Sequence, residues 1–210
     1  MSGLAVAWPQ ELRSQAFEGA LNIRLTTMGR NGPASQELEY LTRAGNVRVN
    51  MVTPGGPVAI LHLVDERKTY LMMESQKAYV EVPARDLTAA ANAQAPDATL
   101  TRTGRREVIA GHACEHVIVE TTSPSGVQRT DVCATRDLGA FVNPVAAMGS
   151  GLAPAWQRLS ADAGFPLRVT MPDGTVALEV TKIEKRRVRD DLFRIPTEYG
   201  KTEMPRRPPV

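Results

Sequence analysis

The chain has 210 residues, a formal net charge of +2 and an apolar fraction of 42%, enough for one sizeable core or two small ones. Aromatic residues make up only 5% and no long Lys/Arg block occurs, which argues against a sugar platform, a base-stacking surface or a nucleic-acid partner. No stretch approaches the roughly 18 apolar residues that cross a bilayer.

Residues 1–14 read as a flexible segment. The opening Met1-Ser-Gly-Leu-Ala-Val-Ala-Trp-Pro9 is too short and lacks the basic start of a secretion signal, so the leader of an exported form would lie outside this sequence. Residues 15–27 predict the first long strand. Phe17, Leu21, Ile23 and Leu25 fall on one face, and Glu18, Asn22, Arg24 and Thr26 on the other. After the Asn31-Gly32-Pro33 turn, residues 36–42 and 47–52 read as strands joined near Gly45-Asn46. Pro54-Gly55-Gly56-Pro57 breaks the chain. Residues 58–64 are nearly continuously apolar, as in a strand buried on both faces, and His62 within them reads as a packed or hydrogen-bonded residue. Residues 68–73 and 77–82 complete an antiparallel meander.

Residues 84–97 are Ala-rich and fit a linker or a short helix equally. The sheet resumes at 99–103, and Val108-Ile109 leads through Ala110-Gly111 into a central hairpin. There, residues 113–122 pair with 127–135 across Ser123-Pro124-Ser125-Gly126. One face of that hairpin shows His112, Cys114, His116, Ile118 and Glu120, facing Arg129, Asp131 and Cys133. A symmetric loop sets Glu120 opposite Arg129 and His116 opposite Cys133, with Cys114 diagonal to Cys133. A disulfide then calls for a register shift or a bulge at Gly111 to close. Two free thiols, or a metal set of His112, Cys114, His116 and Cys133, are the alternatives. His116 and Asp131 could form an acid–base couple, but no nucleophile accompanies them.

Residues 138–164 are the one clearly helical region. Leu138, Phe141, Val142 and Val145 follow helical spacing, and Pro144 can kink or end that turn. Gly149-Ser150-Gly151 is a joint. A second short helix carries Trp156 and Leu159 on one face, either as core packing or as a ligand-contacting lid. Asp173-Gly174 then predicts a tight hairpin setting Met171 opposite Val176, Arg168 opposite Glu179, Val169 opposite Leu178, and Leu167 opposite Val180. The basic run Lys185-Arg186-Arg187-Val188-Arg189 reads as a solvated strand end. Residues 193–199 close the domain, and 201–210, rich in Pro, read as a disordered tail.

Five short stretches add to this order: Phe17-Glu-Gly19, Gly45-Asn-Val-Arg48, Val64-Asp65 through Tyr70 with Tyr79 beyond, Ile109-Ala-Gly-His-Ala-Cys114, and Phe193-Arg-Ile-Pro-Thr-Glu-Tyr199. Together, over residues 16–199, they resemble a bacterial envelope family of unknown function related to the outer-membrane lipoprotein carrier and receptor (LolA/LolB-like) superfamily. The resemblance implies a mainly β fold: a single half-barrel domain over 15–200, an unclosed antiparallel sheet with the helical insert as lid or plug. It also implies export to the periplasm and an apolar cavity. On that basis the ligand-contacting residues are Phe17, Leu21, Ile23, Arg43, Met148, Leu152, Trp156 and Leu159, with Arg43 helping to hold the lid.

The leading expectation is therefore a noncatalytic envelope protein binding a lipid, acyl chain or other apolar ligand, with no cofactor and no resident metal. The alternative is an envelope protein–protein interaction or structural module. An enzyme finds little support, since the sequence holds no P-loop, nucleophile elbow or HExxH motif.

Overall fold

A computed structural model describes residues 17–29, 32–82, 98–123, 126–139, 141–142 and 163–203. The strands are β1 (Gly19–Gly29), β2 (Gly32–Arg43), β3 (Asn46–Thr53), β4 (Gly56–Leu63), β5 (Lys68–Met73), β6 (Ala78–Val82), β7 (Ala98–Ile109), β8 (His112–Ser123), β9 (Gly126–Thr135), β10 (Phe165–Thr170), β11 (Val176–Lys185) and β12 (Gly200–Lys201). They form one sheet of 12 strands in the order β12-β6-β5-β4-β3-β2-β1-β11-β10-β9-β8-β7. The fold is mainly β, and the sheet is unclosed. Two meanders, β1–β6 and β7–β11, meet where β1 pairs antiparallel with β11.

The alternation of each strand gives the sheet two apolar faces. The larger, inner cluster holds Leu21, Ile23, Leu38, Tyr40, Val49, Ile60, Val117, Val132, Phe165 and Leu178, among others. The outer cluster is smaller and is built from Ala20, Leu41, Ala59, Leu61, Tyr70 and Met72. β4 serves both: Ile60 belongs to the inner cluster and its neighbours Ala59 and Leu61 to the outer. Its near-continuous apolar run is explained by that double burial. His62 Nδ1 lies 3.0 Å from Thr69 Oγ1, a hydrogen-bonded residue as its setting suggested.

The outer cluster is covered by the chain's own end. Val188, Leu192, Phe193, Ile195 and Tyr199 pack on it, and a 3-10 turn at Asp190–Phe193 carries two of them. The segment expected to close the domain is thus a short helix and an irregular apolar strap. It ends in β12, which pairs parallel with β6. Gly200 N–H donates to Lys77 O at 2.9 Å and Thr202 N–H to Tyr79 O at 2.8 Å. Residues 200–202 therefore belong to the fold, not to a tail that starts at 201.

Three other expectations change. β7 is continuous from Ala98 to Ile109, where two separate pieces were read. The interruption is a bulge: the pairing steps from Arg102↔Val117 to Arg106↔Glu115. In the β10–β11 hairpin, Arg168↔Glu179 and Val169↔Leu178 pair as expected, but Thr170, not Met171, faces Val176. The turn is wider than a two-residue one, since Met171 N–H donates to Thr175 O at 2.8 Å and Gly174 N–H to Met171 O at 2.9 Å. The linker or helix at 84–97 lies outside the described residues, as does the interior of the 138–164 insert.

Candidate functional site

The inner face is organised by three rings. Tyr40 on β2, Phe165 on β10 and Phe141 from the insert have centroids 5.4 Å (Tyr40–Phe165), 5.0 Å (Phe141–Phe165) and 6.0 Å (Tyr40–Phe141) apart. β2 and β10 are three strand spacings apart, roughly 14 Å across a flat sheet, so the two rings lean towards each other over β1 and β11. Phe141 closes the triangle from above. Tyr40 Oη donates to Val142 O at 3.1 Å. Burial drives the Tyr40 hydroxyl far above its ordinary pKa, and the bond to Val142 opposes that only in part. A buried phenol needs such a partner, and here the partner is the backbone of the insert.

The far end of the insert is fixed as firmly. Ala163 packs in the inner cluster, and Gly164 sits at φ +96° with its α-carbon against the Thr135 carbonyl. The described ends of the insert, through Leu138, Phe141, Val142 and Ala163, therefore rest on the inner apolar face. Of the residues expected to contact a ligand, Phe17, Leu21 and Ile23 come together there. Phe17 reaches back over Gly19, where an added Cβ would meet Phe17 Cζ at 2.6 Å and Glu184 O at 2.2 Å. Arg43 does not join them. It is bound to the Val188 carbonyl, to Asp190 at 2.8 Å and to Glu18 at 3.8 Å, so it anchors the C-terminal strap. Met148, Leu152, Trp156 and Leu159 lie outside the described residues. Sequence reading missed Tyr40 and Phe165 as site residues; their signal was scarcity, two rings in a chain with few.

A second feature lies where the end of β7, the start of β8 and the end of β9 run side by side. Cys114 and Cys133 form a disulfide with Cα atoms 5.4 Å apart. The register is the symmetric one, His116↔Cys133 and Glu120↔Arg129, so the bond closes diagonally and the expected shift is not needed. Around it, His116 Nδ1 is 2.7 Å from Asp131 Oδ1 and 2.7 Å from Arg105, while Nε2 is 3.2 Å from Glu107 Oε2. Arg168 binds Glu107 at 2.6 Å and Glu179 at 3.0 Å. Arg168 first, and His116 after it, hold the Glu107 carboxyl below its ordinary range. His112 stands apart, 4.0 Å from Asp137, and is not part of this cluster.

Two open grooves are lined by described residues. One, of about 460 Å³, is lined by Arg102, Arg106, Cys114, Ala134, Arg136 and Ala163, among others, at the base of the insert. The other, of about 470 Å³, lies over β2 and β3 beside Arg48, Asn50, Glu74 and Leu192.

The chain belongs to the family described as "Domain of unknown function (DUF4412)", whose model matches residues 17–199. No curated protein sequence matches it. Among solved structures, PNGF-II aligns with 89% of this chain at 14% identity and a TM-score of 0.51; the chain spans only 31% of PNGF-II. That likeness is one of fold. An uncharacterized conserved protein from Thermus thermophilus shares 11% identity, with 91% of this chain and 93% of that one covered, at a TM-score of 0.48. A LolA superfamily protein from Nitrosomonas europaea shares 14% identity, with 86% and 90% covered, at a TM-score of 0.36. No described helix is long and apolar enough to cross a membrane.

Proposed function

We propose that this is a noncatalytic, exported envelope protein that holds a lipid, an acyl chain or another apolar molecule against the inner face of its sheet, beside the anchored ends of the 138–164 insert. The observation that carries the reading is the anchoring of both insert ends on that face through Phe141, the Tyr40–Val142 hydrogen bond and Ala163. The face that those ends frame is apolar, with Leu21, Ile23, Leu38 and Val49 on it. An acyl chain entering there gains about 0.8 kcal/mol per buried CH₂. The sequence resemblance to lipoprotein carriers supports the ligand class, and the disulfide suits an oxidising compartment. Native mass spectrometry and solvent extraction of gently purified protein should yield a copurified amphiphile. Clean apo spectra together with no uptake of fluorescent fatty-acid probes would refute the reading.

The protein-interaction alternative has one observation in its favour. β7 is a long edge strand with a largely exposed face, including Val108 at 69% exposure. Its middle is guarded by Arg102, Arg105 and Arg106 and by the bulge, the usual devices against edge pairing. In-cell crosslinking from position 108 that recovers a defined partner would favour this alternative.

A further inference from the structure

The residues around the disulfide form a donor set that the acyl-binding reading does not use. Glu107 pairs with Cys114 across β7 and β8, and His116 pairs with Cys133 across β8 and β9. Paired residues share a face, so four donors occupy one patch on three adjacent strands. Ligand atoms of Glu107, His116 and Cys133 already lie within 4.8 Å of one another, and Cys114 is bonded to Cys133. Cys114, Cys133 and His116 are buried, at 4%, 1% and 9% exposure. The surroundings also suit a metal. Asp131 Oδ1 and Arg105 Nη2 both lie 2.7 Å from His116 Nδ1, and Nε2 is turned towards Glu107; with Nδ1–H donated to Asp131, this is the carboxylate–histidine arrangement that orients an imidazole ligand. Arg168 beside Glu107 offsets the surplus negative charge of two thiolates and a carboxylate around a dication.

We propose that the reduced protein binds one zinc ion through Cys114, Cys133, His116 and Glu107, and that this site and the disulfide are alternative staples for the same three strands. A dithiol reductant supplies two electrons and two protons, opens the Cys114–Cys133 bond and becomes a disulfide itself. Both thiols then lose their protons to solvent as Zn²⁺ binds. Around a tetrahedral ion with Zn–S near 2.3 Å the two sulfurs stand about 3.8 Å apart, which side-chain rotation provides across Cα atoms 5.4 Å apart. An oxidised disulfide partner takes the two electrons back, re-forms the bond and releases the ion. A newly made chain in a reducing compartment would thus be stapled by zinc, and an oxidised chain by sulfur.

The test uses the full chain, reduced with a phosphine and compared with the oxidised chain, with folding followed by circular dichroism. The expected result is one zinc per reduced chain and none per oxidised chain. Co²⁺ in place of zinc should give the strong visible bands of a tetrahedral thiolate site. His116→Ala and Glu107→Gln should each weaken zinc binding at least tenfold, and Asp131→Asn by about ten- to a hundredfold. A reduced chain that unfolds with zinc present, or takes up no zinc, overturns the proposal. So does equal affinity in the His116→Ala, Glu107→Gln double variant, which would mean chelation by the thiols alone.

Discussion

Gly164 shows how a single residue holds the insert to the sheet. At φ +96° an added Cβ would meet the Thr135 carbonyl oxygen at 2.3 Å, and neither backbone can yield cheaply. Gly164→Ala should cost about 1–3 kcal/mol, lowering the melting temperature by about 2–4 °C per kcal/mol in a domain of this size; an unchanged melting curve would refute that fit. At the other end, Tyr40→Phe removes the bond to Val142 O and should cost about 1 kcal/mol, with proteolytic cleavage within 138–164 becoming faster. The cysteine pair shows how far alternation along a strand can be read from sequence. Counting from the loop placed both sulfurs on one face and His116 opposite Cys133, as observed. The diagonal closure was not legible, because it depends on local twist, which residue counting cannot supply. Arg43 was placed by resemblance, and its true partners, Val188 and Asp190, are some 145 residues away in sequence.

At the level of elements, β4 and the C-terminal strap carry the outer face. Leu61 is fully buried beneath Val188 and Phe193; Leu61→Ala should cost about 2–5 kcal/mol, measurable by denaturant unfolding. The strap's last strand is pinned partly by charge. Glu81 bonds Lys201 at 3.0 Å and has Lys68 at 3.8 Å; Lys201 foremost, then Lys68, hold its carboxyl below the ordinary value of 4.5. A depressed carboxyl stabilises the fold above its ordinary pKa and ceases to do so as pH falls through the lower folded value. Amide exchange at Gly200 and Thr202 should therefore be slow at neutral pH and lose protection below about pH 4.5 relative to neighbouring strands, and Lys201→Met should abolish that difference. Asp173-Gly174 signalled its hairpin correctly, yet the ladder slips by one residue at Val176. A turn signal fixes where a chain reverses, not whether a bulge follows. The strap escaped sequence reading because Val188, Phe193 and Ile195 follow neither a strand nor a helix period.

For the whole molecule, the decisive event is the pairing of β1 with β11, which joins two meanders into one sheet. The first meander and the β8–β9 and β10–β11 hairpins were legible, since their pairings are between sequence neighbours; the β9–β10 pairing across the insert was not. Nor was the junction of the two meanders, because nothing in a local pattern names a partner some 160 residues away. The disulfide acts at this scale by limiting the unfolded chain. Replacing both Cys114 and Cys133 by Ala should cost about 3 kcal/mol for a loop of this length, seen as a lower denaturant midpoint while the β circular-dichroism spectrum is kept. On the proposed function, a guest sits on the inner face of the sheet. Methyl-labelled NMR spectra recorded while a monomeric fatty acid is added test it most directly. Shifts are expected at Ile23, Leu38, Val49 and Val117 on the inner face, with Leu41, Leu61 and Val188 unmoved. Shifts confined to that outer set, or none at all, would contradict it.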